Sequence, residues 1–292
     1  MEGGWSPGGV AVLRTGLSAL LLLVPTLWVL RGGWRPVRGS ALGIVLLGSF
    51  GIAGTVLCFF NAVSMMPVGV ALMIQYTSPV MVLVWVWVRH GLRPQVVTVV
   101  GAVVAMGGLV LVVGAMGVDS PPVAGVAWAL GGAVCLATYF MTSDQVSESV
   151  PPTVLAFAGL VVATLTVGVV GLLRVVPIDV ATSDVALGGA TTSWWVPLGL
   201  AAVVATVFPY VTSMAAVAVI GARLMSFVAL SELIAAVLVA WVLLDEQPAS
   251  VQLVGGLLIL AGVVLIRMDR SERIRHAVKA DDAHEPFVAD PS

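Results

Sequence analysis

Residues 221–256 read GARLMSFVALSELIAAVLVAWVLLDEQPASVQLVGG, and this stretch decides the fold. An apolar run of bilayer length carries a single carboxylate, Glu232, near its middle. It closes in an acidic turn, Asp245-Glu246-Gln247-Pro248, and a second apolar run starts at once. A charge at mid-bilayer depth costs ~2.5–3.5 kcal/mol on insertion scales, so Glu232 needs a compensating role. Two roles fit it: a carboxylate that takes up and releases a proton or binds a cationic group, or a hydrogen-bonded tie between helices.

The stretch has an earlier counterpart. At an offset of 154 residues Trp87 falls on Trp241, Pro94 on Pro248, Gly101 on Gly255 and Gly108 on Gly262, with Val and Leu matches between them. Joint recurrence of Trp, Pro and two Gly at one offset marks an internal duplication. The composition agrees with a membrane protein. Of 292 residues 60% are hydrophobic and only 10% are charged, with a mean hydropathy of +1.11. A soluble domain carries about 25% charged residues.

Nine apolar spans of bilayer length follow from the sequence, near 9–30, 41–63, 69–88, 95–117, 122–143, 151–173, 194–217, 222–244 and 250–268. The charged tail from Asp269 is expected to be disordered. Placing Arg31, Arg35 and Arg38 in the cytoplasm also puts Arg89, Arg93, Arg223 and the basic tail there, leaving only Arg14 and Arg174 outside. The C-terminus is then cytoplasmic and the N-terminus external. The duplication pairs the third span with the eighth and the fourth with the ninth. That odd offset inserts the two halves in opposite directions, an inverted-topology repeat. Spans five to nine make a complete half. Spans one to four make a half short of its first helix, so a further span is expected at the N-terminus.

On these residues the chain resembles the EamA domains of the drug/metabolite transporter superfamily. The resemblance rests on Gly221-Ala-Arg, Glu232, Asp245-Glu246 and Gln252-x-x-Gly255-Gly-x-Leu-Ile-Leu-Ala-Gly262-Val in the second half. In the first half it rests on Ser78-Pro79 and the Pro94–Gly101 stretch. Leu233 stands where the family usually has proline after the glutamate, Asp245 where it has glycine, and Leu92 where it often has glutamate. The resemblance covers about residues 8–268. It implies an all-α polytopic membrane protein of two inverted repeats of about five helices, here with nine spans. The first repeat lies in 1–117, the second in 122–268, and the tail in 269–292. It also implies a secondary transporter in the plasma membrane that moves a small metabolite such as an amino acid, with export favoured. A truncated relative with a structural role is the alternative.

Other polar residues in the spans are candidates for a substrate or proton pathway. Gln75, Tyr76, Thr77 and Ser78 form a run closed by Pro79, which removes a backbone donor and can open the helix at the depth where such folds bind substrate. Asn61 and Ser64, Tyr139 with Thr142 and Ser143, and Pro209, Tyr210, Thr212 and Ser213 are further lining sets. Arg14 either meets an anionic substrate group, balances Glu232, or snorkels to the outer headgroups. Glu246 reads as a helix cap, and Trp34, Trp194 and Trp195 as interface anchors. Cys58 and Cys135 read as small apolar packing residues.

The expected partners are a small-molecule substrate, the lipid bilayer and protons as coupling ion, with a homodimer left open and no nucleic acid. No cofactor, metal site, phosphate-cradling loop or catalytic pair is legible, so an enzyme is not expected.

Overall fold

Ser6 starts the first helix. Its hydroxyl accepts the Gly9 N–H at 3.2 Å, and Pro7 follows at the position where a missing N–H costs nothing. Ser6 also fixes this end to the loop that follows the helix Pro152–Leu172, since the Asp179 N–H donates to its hydroxyl at 2.6 Å and its own N–H donates to the Asp179 carbonyl at 3.0 Å. A computed structural model describes residues 6–32, 35–66, 68–90, 94–114, 122–174, 176, 178–180, 185–187, 190–232, 234–235 and 249–282.

The helices are α1 (Pro7–Val29), α2 (Arg35–Gly39), α3 (Ala41–Leu46), α4 (Thr55–Val63), α5 (Val68–Gln75), α6 (Ser78–His90), α7 (Val96–Gly114), α8 (Val123–Ser147), α9 (Pro152–Leu172), α10 (Trp195–Ala202), α11 (Phe208–Val228) and α12 (Ser250–Asp282). A π-helical segment, Leu47–Gly54, joins α3 to α4, and another, Val203–Val207, joins α10 to α11. Among the described residues a small hairpin, β1 (Val185–Leu187) against β2 (Ala190–Thr192), interrupts the helices.

Among the described residues five helical stretches are long and apolar enough to cross a membrane: Gly8–Val29, Ala41–Val63, Val123–Ser147, Pro152–Leu172 and Trp195–Val228. Ser78–Arg89, Val96–Leu111 and Ser250–Ile266 are shorter apolar helices. Large apolar side chains such as Leu20, Val24, Trp28, Val88, Val96, Val123 and Leu172 stand exposed along them. Water would not tolerate that much apolar surface, whereas lipid does. At the end of α1 the Arg31 guanidinium lies 4.7 Å from the Trp28 ring, a pairing suited to the headgroup layer.

Three places in the helical path bear on the sequence reading. The third expected span, 69–88, is interrupted at Tyr76–Thr77, between α5 and α6, beside Pro79 where the sequence allowed the helix to open. Pro79 has no N–H to give the Gln75 carbonyl, and the turn tightens so that Thr77 N–H reaches Ile74 O at 3.1 Å. The seventh and eighth expected spans, 194–217 and 222–244, are divided at Gly221 as the sequence reading has them: φ there is 76° and ψ is 162°, backbone angles open to glycine, and residues 233 and 236–244 of the eighth lie outside the described residues. The tail expected to be disordered from Asp269 continues α12 to Asp282. Between those residues there is no Gly or Pro, and Arg, Glu, Ala and Lys favour helix.

The chain forms two compact units, Met1–Trp85 with Met116–Ser226, and Val86–Ala115 with Phe227–Ser292. In the first, α1 packs on α9, and α8 packs on α4, α5 and the first π segment. Leu47, Ile52, Leu155, Leu160 and Met214 are fully buried there. Threonine and serine tie its helices: Thr164 donates to Thr15 at 2.9 Å, and Ser18 to the Ala202 carbonyl at 3.1 Å.

In the second unit α7 packs along α12 through glycines. A Cβ at Gly101 would lie 2.8 Å from the Gly262 carbonyl, and one at Gly262 would strike Gly101 in return. A Cβ at Gly108 would lie 2.8 Å from the Ile259 nitrogen and would also strike the Gly255 carbonyl. Only glycine permits such an approach.

Candidate functional site

Helix α8 is the backbone of the site. Gly132, Tyr139 and Ser143 lie seven and then four residues apart, so they share one face. Gln75, the last residue of α5, lies against the first of them, with its Oε1 3.0 Å from where a Gly132 Cβ would be. About 10 Å further along the axis, the Tyr139 ring meets the Tyr210 ring of α11 edge to face, with centroids 5.7 Å apart and planes at 74°. The Tyr139 hydroxyl lies beside Ser213 without closing a well-aligned hydrogen bond.

Gln75, Tyr76, Ser78, Tyr139, Thr142 and Ser143 are all buried, and Thr77 is half-buried. Four of these side chains hold a buried polar atom with no hydrogen-bond partner: Gln75 Oε1, Ser78 Oγ, Tyr139 OH and Ser143 Oγ. Leaving such a group unpaired costs ~1–3 kcal/mol, so each marks a group that a polar guest would satisfy. Thr77 is different: its hydroxyl donates to the Ile74 carbonyl at 2.7 Å and serves the helix break itself.

The remaining expected residues divide. Asn61 donates its amide to Leu57 O at 2.8 Å, so its donor serves its own helix. Thr212 likewise donates to Phe208 O at 2.7 Å. Arg14 is half-buried, and its Nε is enclosed with no acceptor. Glu232 is exposed rather than enclosed, and it engages in a contact of its own. It follows a tightened turn in which Leu230 N–H reaches Phe227 O at 3.1 Å and Glu232 N–H reaches Ala229 O at 3.0 Å. The expectation of a buried carboxylate is corrected on that point, because the turn carries it out of the packed core. Arg14 and Glu232 belong to different compact units. Glu246 and Trp34 lie outside the described residues. Gly132 was not picked out from the sequence, although a Gly-Gly pair inside an apolar helix is a readable signal of close approach.

Two backbone features recur at the offset of the duplication. Displaced by 154 residues, Leu47–Gly54 falls on Ala201–Phe208, which contains the second π segment, Val203–Val207. The break at Tyr76–Thr77 falls within one residue of the turn at Ala229–Leu230. Ser78 and Glu232 therefore stand at equivalent positions, each just beyond an interruption.

The sequence matches the profile of the EamA-like transporter family over residues 1–114 and 123–268. No curated protein matches it. Several solved structures match; a crystal structure among them aligns with a TM-score of 0.72 at 17% identity, covering 90% of this chain and 88% of the other. At that identity the likeness speaks for the fold.

Proposed function

Because the chain belongs to the EamA-like transporter family, we propose that it is a secondary transporter that carries a small polar metabolite, such as an amino acid, across the plasma membrane, with export favoured. It works by alternating access between two inverted repeats, residues 1–117 and 122–268. The observation that carries this reading is the set of buried, unpartnered polar atoms on Gln75, Ser78, Tyr139 and Ser143 beside an interrupted helix. An interrupted helix supplies free backbone groups as well, and discontinuous helices are where transporters hold their substrates.

The inverted repeat draws support from three features: the matching π segments, the matching interruptions, and the way α7 meets α12. In that contact Gly101 faces Gly262 while Gly108 faces Gly255. Each glycine thus meets the repeat equivalent of the other, as a two-fold contact requires. Glu232 is the coupling group in this reading. It takes a proton on one side of the membrane and releases it on the other.

The test is uptake and efflux of a radiolabelled amino-acid panel in proteoliposomes, with and without a pH gradient, for wild type and Glu232→Gln. A substrate should move, and the variant should lose about tenfold or more of the gradient-driven rate, ~1.4 kcal/mol or more in barrier terms. Movement that responds to pH equally in both proteins would make Glu232 structural and leave the α8 face as the site. No movement of any panel member would reject the amino-acid assignment.

A further inference from the structure

The chain has two cysteines, 77 residues apart in sequence, each inside an apolar run. The fold brings them together on the facing sides of α4 and α8. Gly54, one turn before Cys58, lies so close to α8 that a Cβ there would sit 2.7 Å from Cys135 Sγ and 3.5 Å from its Cβ. Reciprocally, Gly131, one turn before Cys135, would place a Cβ 3.4 Å from Cys58 Sγ, and Gly132 one at 3.4 Å from Cys58 Cβ. Each cysteine thus sits in the notch left by a glycine of the other helix, and the two thiols lie beside one another. Both are free thiols and half-buried, so a small lipid-soluble reagent has access to them.

We propose that Cys58 and Cys135 are a disulfide-forming pair that staples α4 to α8 when the cell meets a thiol oxidant. A disulfide needs its two Cβ atoms about 3.5–4.5 Å apart. Each cysteine faces the glycine one turn before the other, so the bond closes by a slide of α4 along α8, which the side-chain-free glycine notches permit. The oxidant is a low-molecular-weight disulfide. One cysteine, as its thiolate, attacks it, forming a mixed disulfide and releasing one small thiol. The second cysteine attacks the mixed disulfide and releases the other small thiol. Two S–H bonds are lost, one S–S bond forms between the helices, and the small disulfide is reduced to two thiols.

The staple has a functional consequence that rests on the transport reading. Tyr139 is one turn beyond Cys135 on α8, and Asn61 is one turn beyond Cys58 on α4. A covalent tie there holds the α8 face against α4 and slows any cycle in which the two must part. The staple itself does not depend on that reading, and its test needs no substrate.

The experiment uses the full chain in native membrane vesicles. The vesicles are treated with diamide, a permeant diazene that takes up the two hydrogens and becomes the hydrazine. The protein is then denatured and exposed to a mass-tagged maleimide. Wild type should pass from two tags to none, recover both after a reductant, and run as a monomer throughout on a non-reducing gel. Cys58→Ser and Cys135→Ser should each keep their single tag. Two tags surviving diamide on wild type, or a tag loss that coincides with a cross-linked dimer, would overturn the proposal.

Discussion

Tyr139 is where an interaction for folding and an interaction for a guest can be separated. Its ring packs on Tyr210 and its hydroxyl has no partner. Removing an unpaired buried hydroxyl costs the fold nothing and can stabilise it. Tyr139→Phe should therefore melt at or above the wild-type temperature in detergent. It should also raise the half-saturating substrate concentration about three- to tenfold, a hydrogen bond of ~0.7–1.4 kcal/mol. A variant that melts early with unchanged transport would assign the hydroxyl to the fold. At this scale the sequence was legible in part. Four polar residues in a row before Pro79 announce an interruption, because they cannot all face lipid. That Asn61 spends its amide on its own helix was not legible, since Asn in a helix either serves its own turn or a neighbour, and only the packing decides. The meeting of Cys58 with Cys135 was equally hidden: it depends on the register of α4 against α8, which neither run encodes alone.

At the scale of elements, the α7–α12 pair shows what close packing demands. Without a hydrophobic driving force between helices in lipid, association rests on close contact and hydrogen bonding, so the glycines at the crossing are the contact. Gly101→Leu forces the helices apart at one end, where the Gly262 backbone has no room to yield. A destabilisation of about 1–3 kcal/mol is expected from overpacking. It would appear as a melting temperature lowered by several degrees in a detergent thermal-shift assay. Gly107→Leu on the same helix, where a Cβ would meet nothing, is the control and should melt like wild type. The recurrence of these glycines in the sequence pointed to a duplicated element. Its partner was not readable, because a glycine tells of a close neighbour and not of which one.

For the whole molecule the sequence was most informative, because the bilayer is a strict solvent. Among the described residues the apolar runs are mostly apolar helices, and the family match covers most of the chain. What periodicity did not give is the two π segments, which fall within stretches uniformly apolar enough to read as simple spans. Orientation belongs to this scale too. If the expected spans place most Arg and Lys on the cytoplasmic side, a fluorescent protein fused after Ser292 should fold there and fluoresce. Alkaline phosphatase fused at the same point should stay inactive. The opposite pattern would invert the assignment of both ends.

The glycine crossing also governs how the two halves can change. Residues related by duplication are Gly101 with Gly255 and Gly108 with Gly262, yet the residues that touch are Gly101 with Gly262 and Gly108 with Gly255. Kinship and contact run crosswise. A bulkier residue at Gly101 is therefore not relieved by the same change at its sister Gly255, which only crowds the other end. The two copies are bound to drift together, each constrained by the mirror position of the other.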